Sequence, residues 1–331
     1  MSGEKKVIGV HNGSVHVDEV WACALMRILP DYRYCKIFRS RNLADLERCD
    51  LVVDVGGKFD GEKYFDHHQK GFNVTYADWS DTKCAAVGLI FKTFKRDICR
   101  CALRATSLYY DFEQIDVLAD AFYELFIRHI DAADNGISSH QPLYNDASSF
   151  RNRIAHQLAF EPVSNHLTVF YHLVETAKME IYNAFRFIVN NYLPSIKRVK
   201  EAYASRFEHH ESGKILIVSS DGINGFIGDM ALRYIEKDVP DEERVLYLIS
   251  RSTATNGYKI CIIAMSKGLF DLGPMRPFPE SWRGMRETNL VRASGMNTLF
   301  YCHHSGFLLV PKFIGVNVFE NFVETLASKI L

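Results

Sequence analysis

The residues with chemical reach gather in three stretches: His11-Asn12-Gly13-Ser14-Val15-His16-Val17-Asp18-Glu19, Val53-Asp54-Val55-Gly56-Gly57, and Tyr64-Phe65-Asp66-His67-His68-Gln69-Lys70-Gly71. Asp131 and Asp134 add two carboxylates further along. Imidazoles and carboxylates set against apolar runs are not what burial favours, because each polar group taken inside needs a partner. A divalent cation supplies one. Imidazole with carboxylate suits manganese, zinc, iron or cobalt, and the carboxylate share turns the preference toward harder ions. His11, His16 and Asp18 share a loop able to fold around one point. With Asp54, His67 and one or both of Asp131 and Asp134, the set reaches about six donors, more than one ion in an open catalytic site uses. Two ions sharing a bridging carboxylate fit it better, at the separation of about 3.5–4 Å found in two-metal phosphatases and nucleases. Such a pair acidifies a bound water and steadies charge on phosphoryl oxygens, which is the chemistry of phosphoester hydrolysis. Taken singly, a histidine at a strand end also serves as a cap for backbone groups, and the two aspartates read as solvated acids. Only the whole set points to metal.

The elements between these stretches must bring them together. Val7 to Val10 is a buried strand that stops at His11, Asn12-Gly13-Ser14 is a turn, and Asp18-Glu19 opens a helix to about Leu29, ended by Pro30. Tyr34 to Phe38 reads as a second strand, Asn42 to Arg48 as a short helix and Leu51 to Gly57 as a third strand. Strands alternating with helices imply βαβ units and a mostly parallel sheet. Ligands of such sheets sit beyond the carboxyl ends of the strands. His11, Asp54 and Asp66-His67-His68 each fall at such an end. A helix is expected from Asp81-Thr82 to about Phe94, and a continuous one from Ile115 to Ala133, with Leu118, Phe122, Leu125 and Phe126 on one stripe. Asn135-Gly136 caps the latter and leaves Asp131 and Asp134 in its last turn, where carboxylates oppose the helix dipole unless a cation is near. From about Asn165 to Phe207 the pattern is helical, broken at Pro194; strands return at 215–218, 245–249 and 259–264, with a tight Asn256-Gly257 turn between the last two. The expected fold is α/β: a catalytic metal-binding domain over 1–164 with a mostly parallel sheet and flanking helices, a helical connector over 165–210, and a smaller α/β substrate-binding domain over 211–331.

Composition sets the outer bounds. A chain of 331 residues exceeds one comfortable core, and 47% hydrophobic with 24% charged residues makes it a folded, soluble one. A net charge of -1 offers no global field to nucleic acid, so any phosphate-binding surface is local. Eight cysteines without a Cys-x-x-Cys pair read as reduced thiols of an intracellular protein. The chain enters its first strand at Val7, which leaves no room for a secretory signal or transit peptide, and no apolar run reaches about 18 residues. Cytoplasm or nucleus is expected, with no membrane contact.

In order, the first loop, Asp54-Val55-Gly56-Gly57, Asp66-His67-His68-Gln69, Thr82-Lys83 leading to Gly88-Leu89-Ile90, and Asp131-Ala132-Ala133-Asp134-Asn135-Gly136 resemble the motifs of the DHH phosphoesterase superfamily. They look most like its melanocyte-proliferating-gene branch, a family of metal-dependent hydrolases. The likeness continues through Pro277 to Gly284 and Ser294 to Phe307, so it spans nearly the whole chain. It implies a two-domain enzyme with dimetal chemistry, a 3′-to-5′ RNA exonuclease with nuclear and mitochondrial roles. By likeness to the related manganese pyrophosphatases, His11 and His16 would hold one ion, Asp18, His67 and Asp131 the other, and Asp54 would bridge them; Asp131 is favoured over Asp134. His68 would face substrate and Asp66 would orient an imidazole. The cofactor expected is two divalent ions, manganese first, with magnesium or another possible. One departure touches substrate grip: the family's Gly-Gly-His stretch is here Leu308-Leu309-Val310-Pro311-Lys312.

Substrate contacts are expected from Arg276, Arg283, Arg286 and Arg292 with His303 and His304, since guanidinium forks match phosphate geometry. Phe278 and Trp282 would add stacking platforms for single-stranded bases. Four arginines in a charged segment also describe a solvated face. The partner expected is RNA or a short oligonucleotide, and a two-fold homodimer is a base-rate expectation. Two rivals stand beside the exonuclease: a phosphatase or pyrophosphatase of small substrates, and an RNA-binding protein that keeps the fold without turnover.

Overall fold

Four parallel strands, β1 (Val7–Val10), β2 (Lys36–Arg39), β3 (Leu51–Val53) and β4 (Tyr64–Phe65), form a sheet of order β2-β1-β3-β4. The computed structural model describes residues 5–137, 150–159, 161–219, 225–251, 260–267, 274–304, 306–310 and 316–331. The chain divides into two compact units, residues 1–189 and 190–331.

In the first unit, helix α1 (Val17–Met26) follows β1. Its residues from Asp18 to Met26 are all buried, as a helix apolar on every side must be, and it packs on α3 (Ala86–Ala105) and α7 (His166–Phe187). The short α2 (Leu43–Leu46) joins β2 to β3, with Asn42 accepting a hydrogen bond from Ala44 N at its start. Helix α3 begins four residues later than the start expected from an Asp81-Thr82 cap. Lys83 bridges Thr75 and Cys84 N donates to Val74 O, so this segment is extended, while Asp81 pairs with Arg128 instead. The continuous helix expected from 115 is also broken. α4 (Ile115–Phe122) passes through a π-turn (Tyr123–Ile127) into α5 (Arg128–Asp134). Such a turn rotates everything beyond it relative to an unbroken helix. α6 (Phe150–Ala159) packs on α1 and α7.

The helical run from about 165 to 210 is shared between the units. α7 packs on α1, whereas α8 (Leu193–Ala204), with Pro194 in its first turn, packs with α10 (Gly225–Ile235) and β5 (Ile215–Ser219) in the second. α9 (Arg206–His209) also lies against β5. The second sheet has the order β5-β6-β7-β9-β8, with β6 (Tyr247–Arg251) parallel to β5 and the strands β7 (Ile260–Ala264), β9 (Phe307–Val310) and β8 (Tyr301–Cys302) antiparallel. Alternate residues feed its two faces. Leu216, Val218 and Leu248 pack with Val199 and Leu232 of α8 and α10, while Ile215, Tyr247 and Ile249 pack with Leu290 of α11 (Glu287–Ser294) and Phe322 of α12 (Val316–Ile330). The architecture is therefore mixed α/β, with a parallel sheet followed by a mixed one. Leu308 to Val310 are a strand of that second sheet, and Pro311-Lys312 and the Asn256-Gly257 turn lie outside the described residues. Among the described residues, no helix is long and apolar enough to cross a membrane.

Candidate metal centre

Register explains how distant residues meet. Val10 pairs with Val53 and Val53 with Phe65, so the next residues, His11, Asp54 and Asp66, leave three adjacent strands at one level. Neighbouring parallel strands lie about 4.8 Å apart. That spacing alone places the three side chains within reach of one another. Asp54 turns sharply there, at φ 58°, in the left-handed region that Asp tolerates better than most residues.

His11 Nε2 stands 3.2 Å from Asp54 Oδ2, and His16 Nδ1 4.0 Å from the same oxygen. The other oxygen, Oδ1, faces His67 Nε2 at 3.7 Å and His68 Nδ1 at 3.5 Å. Asp134 Oδ2 lies 3.0 Å from His67 Nε2. Among the described residues, three donor sets have ligand atoms all within 4.8 Å of one another: His11, His16 and Asp54; Asp54, His67 and His68; His16, Asp18 and Asp134. Asp54 belongs to two of them, one through each oxygen.

The donors fit a cation because they lack other partners. His11 Nε2, both oxygens of Asp18, both of Asp54, Glu19 Oε2 and His67 Nε2 are buried without a well-directed hydrogen bond. His11 Nδ1 sits 3.0 Å from the carbonyl of Asn12. A proton on Nδ1 would donate to that carbonyl and leave the Nε2 lone pair facing the carboxylates. An acceptor among acceptors in a low-dielectric interior is stable only with a positive charge between them. Without metal, protons take that role. Burial disfavours the charged His67 ring, but Asp134 and Asp54 outweigh it and raise its pKa to about 10. Burial would lift Asp54, yet His11 and His67 bring it down to about 2. Asp18, enclosed and beside Asp54 and Asp134, is pushed well above the carboxylate range, and burial raises Glu19 to about 8.

A pH dependence follows for the metal-free protein. A histidine whose folded pKa is raised from 6.5 to about 10 adds stability that is fully present below pH 6.5 and lost as pH rises through about 10. Glu19, protonated in the fold up to about 8, acts in the same direction. The urea midpoint of the metal-free chain is expected to fall from pH 6.5 to pH 10, and saturating divalent ion is expected to flatten that slope. A midpoint that climbs over this range without metal would contradict the assignment.

Asp66 belongs to none of the three donor sets and touches them through His68. Its Oδ2 accepts from Gly57 N at 2.6 Å and its Oδ1 from His68 N at 3.1 Å, with His68 Nδ1 at 2.8 Å. Gly57 reaches that carboxylate from φ 68°, a conformation costly for residues with a Cβ. His68 is thereby fixed in orientation while its side chain remains 60% exposed.

Asp131 occupies a different place from the one sequence favoured. Its Oδ1 accepts from Ala85 N at 2.9 Å and Gly88 N at 3.1 Å, and its Oδ2 from Tyr123 Oη at 2.9 Å. Ala85 is the N-cap of α3 and has no capping side chain of its own. Asp131 therefore caps α3 from a neighbouring helix, its oxygen meeting N–H groups that the helix start leaves unpaired. Asp134, one turn on, is the carboxylate that reaches His67. Sequence spacing alone left these two acids equivalent, because the π-turn that re-aims α5 carries no clear signature.

In the second unit, Phe278 and Trp282 are 1% and 3% exposed within the hydrophobic core and present no face to a base. Their expected stacking role falls, since burying them against the sheet gains more than exposing them. Arg283 Nε donates to Phe278 O at 2.8 Å. Arg286 lies over the Tyr301 ring at 4.4 Å, and together with Arg292, Gly284, Met285, Asn289 and Ala293 it lines a recess of about 450 Å³. Arg276 is exposed, His303 stacks on Phe307 at 4.5 Å, and His304 approaches Gly284.

Two residues of the first unit were not read as functional from sequence. Glu19 lies at zero exposure with Oε2 3.3 Å from His11 Nε2. Arg39 donates to the carbonyls of His11 at 3.1 Å and Gly13 at 3.0 Å, bracing the loop from the neighbouring strand. The His16-x-x-Glu19 spacing of a capping box was the available signal for the first. None marked the second.

An α/β unit with paired imidazole and carboxylate clusters along the carboxyl edge of its sheet defines a class of candidate metalloproteins. Residues 7–324 match the profile of the MYG1 exonuclease family, described as an uncharacterised protein family (UPF0160), and the chain belongs to it. The Homo sapiens MYG1 exonuclease is 31% identical over 315 residues, covering 91% of this chain and 81% of that protein. The Dictyostelium discoideum MYG1 protein is 30% identical over 310 residues, covering 91% of each. A solved pGpG-specific phosphodiesterase from Vibrio cholerae aligns over 98% of this chain and 99% of that one, at 10% identity and a TM-score of only 0.23.

Proposed function

We propose that this chain is a divalent-metal-dependent phosphodiesterase that removes nucleotides from the 3′ end of RNA. The observation that carries the reading is Asp54, whose two unpartnered, buried oxygens face separate imidazole clusters. The exonuclease name of the human relative and the likeness to DHH phosphoesterases support it. His11 and His16 would hold one ion and His67, Asp18 and Asp134 the other, with Asp54 common to both; manganese suits this mixture, and magnesium is the alternative. When bound, the ions supply an acidified water and positive charge for phosphoryl oxygens.

The chain's own residues handle orientation and protons. With Asp66 turning Nδ1 of His68 inward, Nε2 is the atom left to give a proton to the 3′ oxygen that departs. Asp66 also raises the His68 pKa, which keeps a proton available nearer neutral pH. Arg286 and Arg292, on the recess of the second unit, would grip phosphates.

The test is incubation of the purified chain and manganese with 5′-labelled single-stranded RNA. The expected product is a ladder shortening from the 3′ end. Cleavage confined to pyrophosphate or dinucleotides would favour the small-substrate rival, and metal binding without hydrolysis of any phosphoester would leave a binding protein.

A further inference from the structure

We infer that Glu19 is a further carboxylate of the metal centre, directed at the ion that His11 would hold. The inference rests on the dimetal reading and adds a residue to it. Glu19 is wholly buried in the first turn of α1, and its two oxygens have different tasks. Oε1 accepts from the His16 backbone N at 3.1 Å and lies 4.0 Å from the Arg39 guanidinium. Oε2 has no directed hydrogen bond and points to His11 Nε2 at 3.3 Å.

Two buried acceptors at that separation repel unless a cation serves both. Donor atoms sharing one ion at about 2.1 Å stand about 3 Å apart, close to the spacing seen between these two atoms. Charge points the same way. Without Glu19, the His11 side offers two neutral imidazoles and half of a shared carboxylate, whereas the His67 side has Asp18 and Asp134 to itself. Glu19 halves that imbalance. Its grip on the His16 backbone also ties the loop's second imidazole to the same side chain, and Arg39 braces the loop through the His11 and Gly13 carbonyls.

Manganese alone, titrated into the metal-stripped full chain and followed by calorimetry and by the resonance signal of free Mn²⁺, tests this. Glu19→Gln keeps an acceptor for His16 N and removes the charge together with the second acceptor oxygen. One of the two binding events is expected to weaken by at least about 10-fold, the lower bound for losing a partner that supports a metal ligand, while the other holds. The metal-free urea midpoint is expected to be no lower than that of the unaltered chain, which separates a metal role from a merely structural one. Unchanged affinity at both sites overturns the inference and leaves the dimetal reading intact; an unaltered chain that binds no manganese overturns both. Should Glu19→Gln fail to fold, Glu19→Asp and Glu19→Asn form an isosteric pair differing only in charge, and equal manganese affinity in the two overturns the inference as well.

Discussion

Asp54→Asn is expected to fold, to lose one of two manganese-binding events, and to hydrolyse RNA more than about 100-fold more slowly, beyond what loss of an outer partner of a ligand costs. The backbone argument says it folds. Asn accepts the left-handed region as readily as Asp, so the turn at φ 58° carries no new strain. The electrostatic argument says it fails as an enzyme. The amide has one acceptor oxygen in place of two, so it can serve the His11 cluster or the His67 cluster but not both. Its NH₂ must then face imidazole nitrogens needed for metal. The metal-free form loses something too. Asp54 titrates near 2 because His11 and His67 offset its burial, so its contribution to stability is present above pH 3.8 and fades as pH falls toward 2. Manganese titration together with RNA hydrolysis rates checks the whole statement. Unchanged stoichiometry with an unchanged rate would remove Asp54 from the centre and the proposed chemistry with it.

Much of this site was legible because its placement follows from strand periodicity. His11, Asp54 and Asp66 each end an apolar run, and parallel pairing in register is enough to bring such ends together. What could not be read depends on events between elements. Whether α3 starts at residue 82 or 86 is decided by an extended pairing of Lys83 with Thr75, and Asp81-Thr82 has the local chemistry of a cap it does not form. Asp131 and Asp134 have the same type and nearly the same helical face. Their separate tasks come from which neighbour each meets after the π-turn. Phe278 and Trp282 illustrate the opposite limit: an aromatic residue among arginines reads as a base platform or as core with equal ease, and the packing of the second sheet decides. Glu19 has no sequence mark of a ligand, because a carboxylate in the first turn of a helix is ordinary there; only its zero exposure and unpartnered Oε2 distinguish it.

The largest loss of stability is expected at the junction of Asp131 and Gly88. A Cβ on Gly88 would lie 2.2 Å from Asp131 Oδ2 and 2.6 Å from Oδ1, closer than any real contact, so α3 can approach its capping carboxylate only with glycine there. Gly88→Ala is expected to destabilise by about 1–3 kcal/mol through overpacking. Asp131→Ala acts differently, leaving the N–H groups of Ala85 and Gly88 and the hydroxyl of Tyr123 without their acceptor in a buried setting. At about 1–3 kcal/mol for each unmet donor, the loss is on the order of 3 kcal/mol or more. Burial raises the Asp131 pKa to about 8 against these three donors, so enclosing the charge costs more than the donors return to the ionised form. Asp131→Asn, which keeps one acceptor oxygen, is expected to fall between Ala and the unaltered chain. The decisive measurement is the double variant Gly88→Ala with Asp131→Ala. Removing the carboxylate opens the space the new methyl needs, so the combined loss is expected to be smaller than the sum of the two by about 1 kcal/mol or more. Strict additivity in urea unfolding would mean that the two residues do not meet as described, and that Asp131 is free to turn toward the metal centre after all.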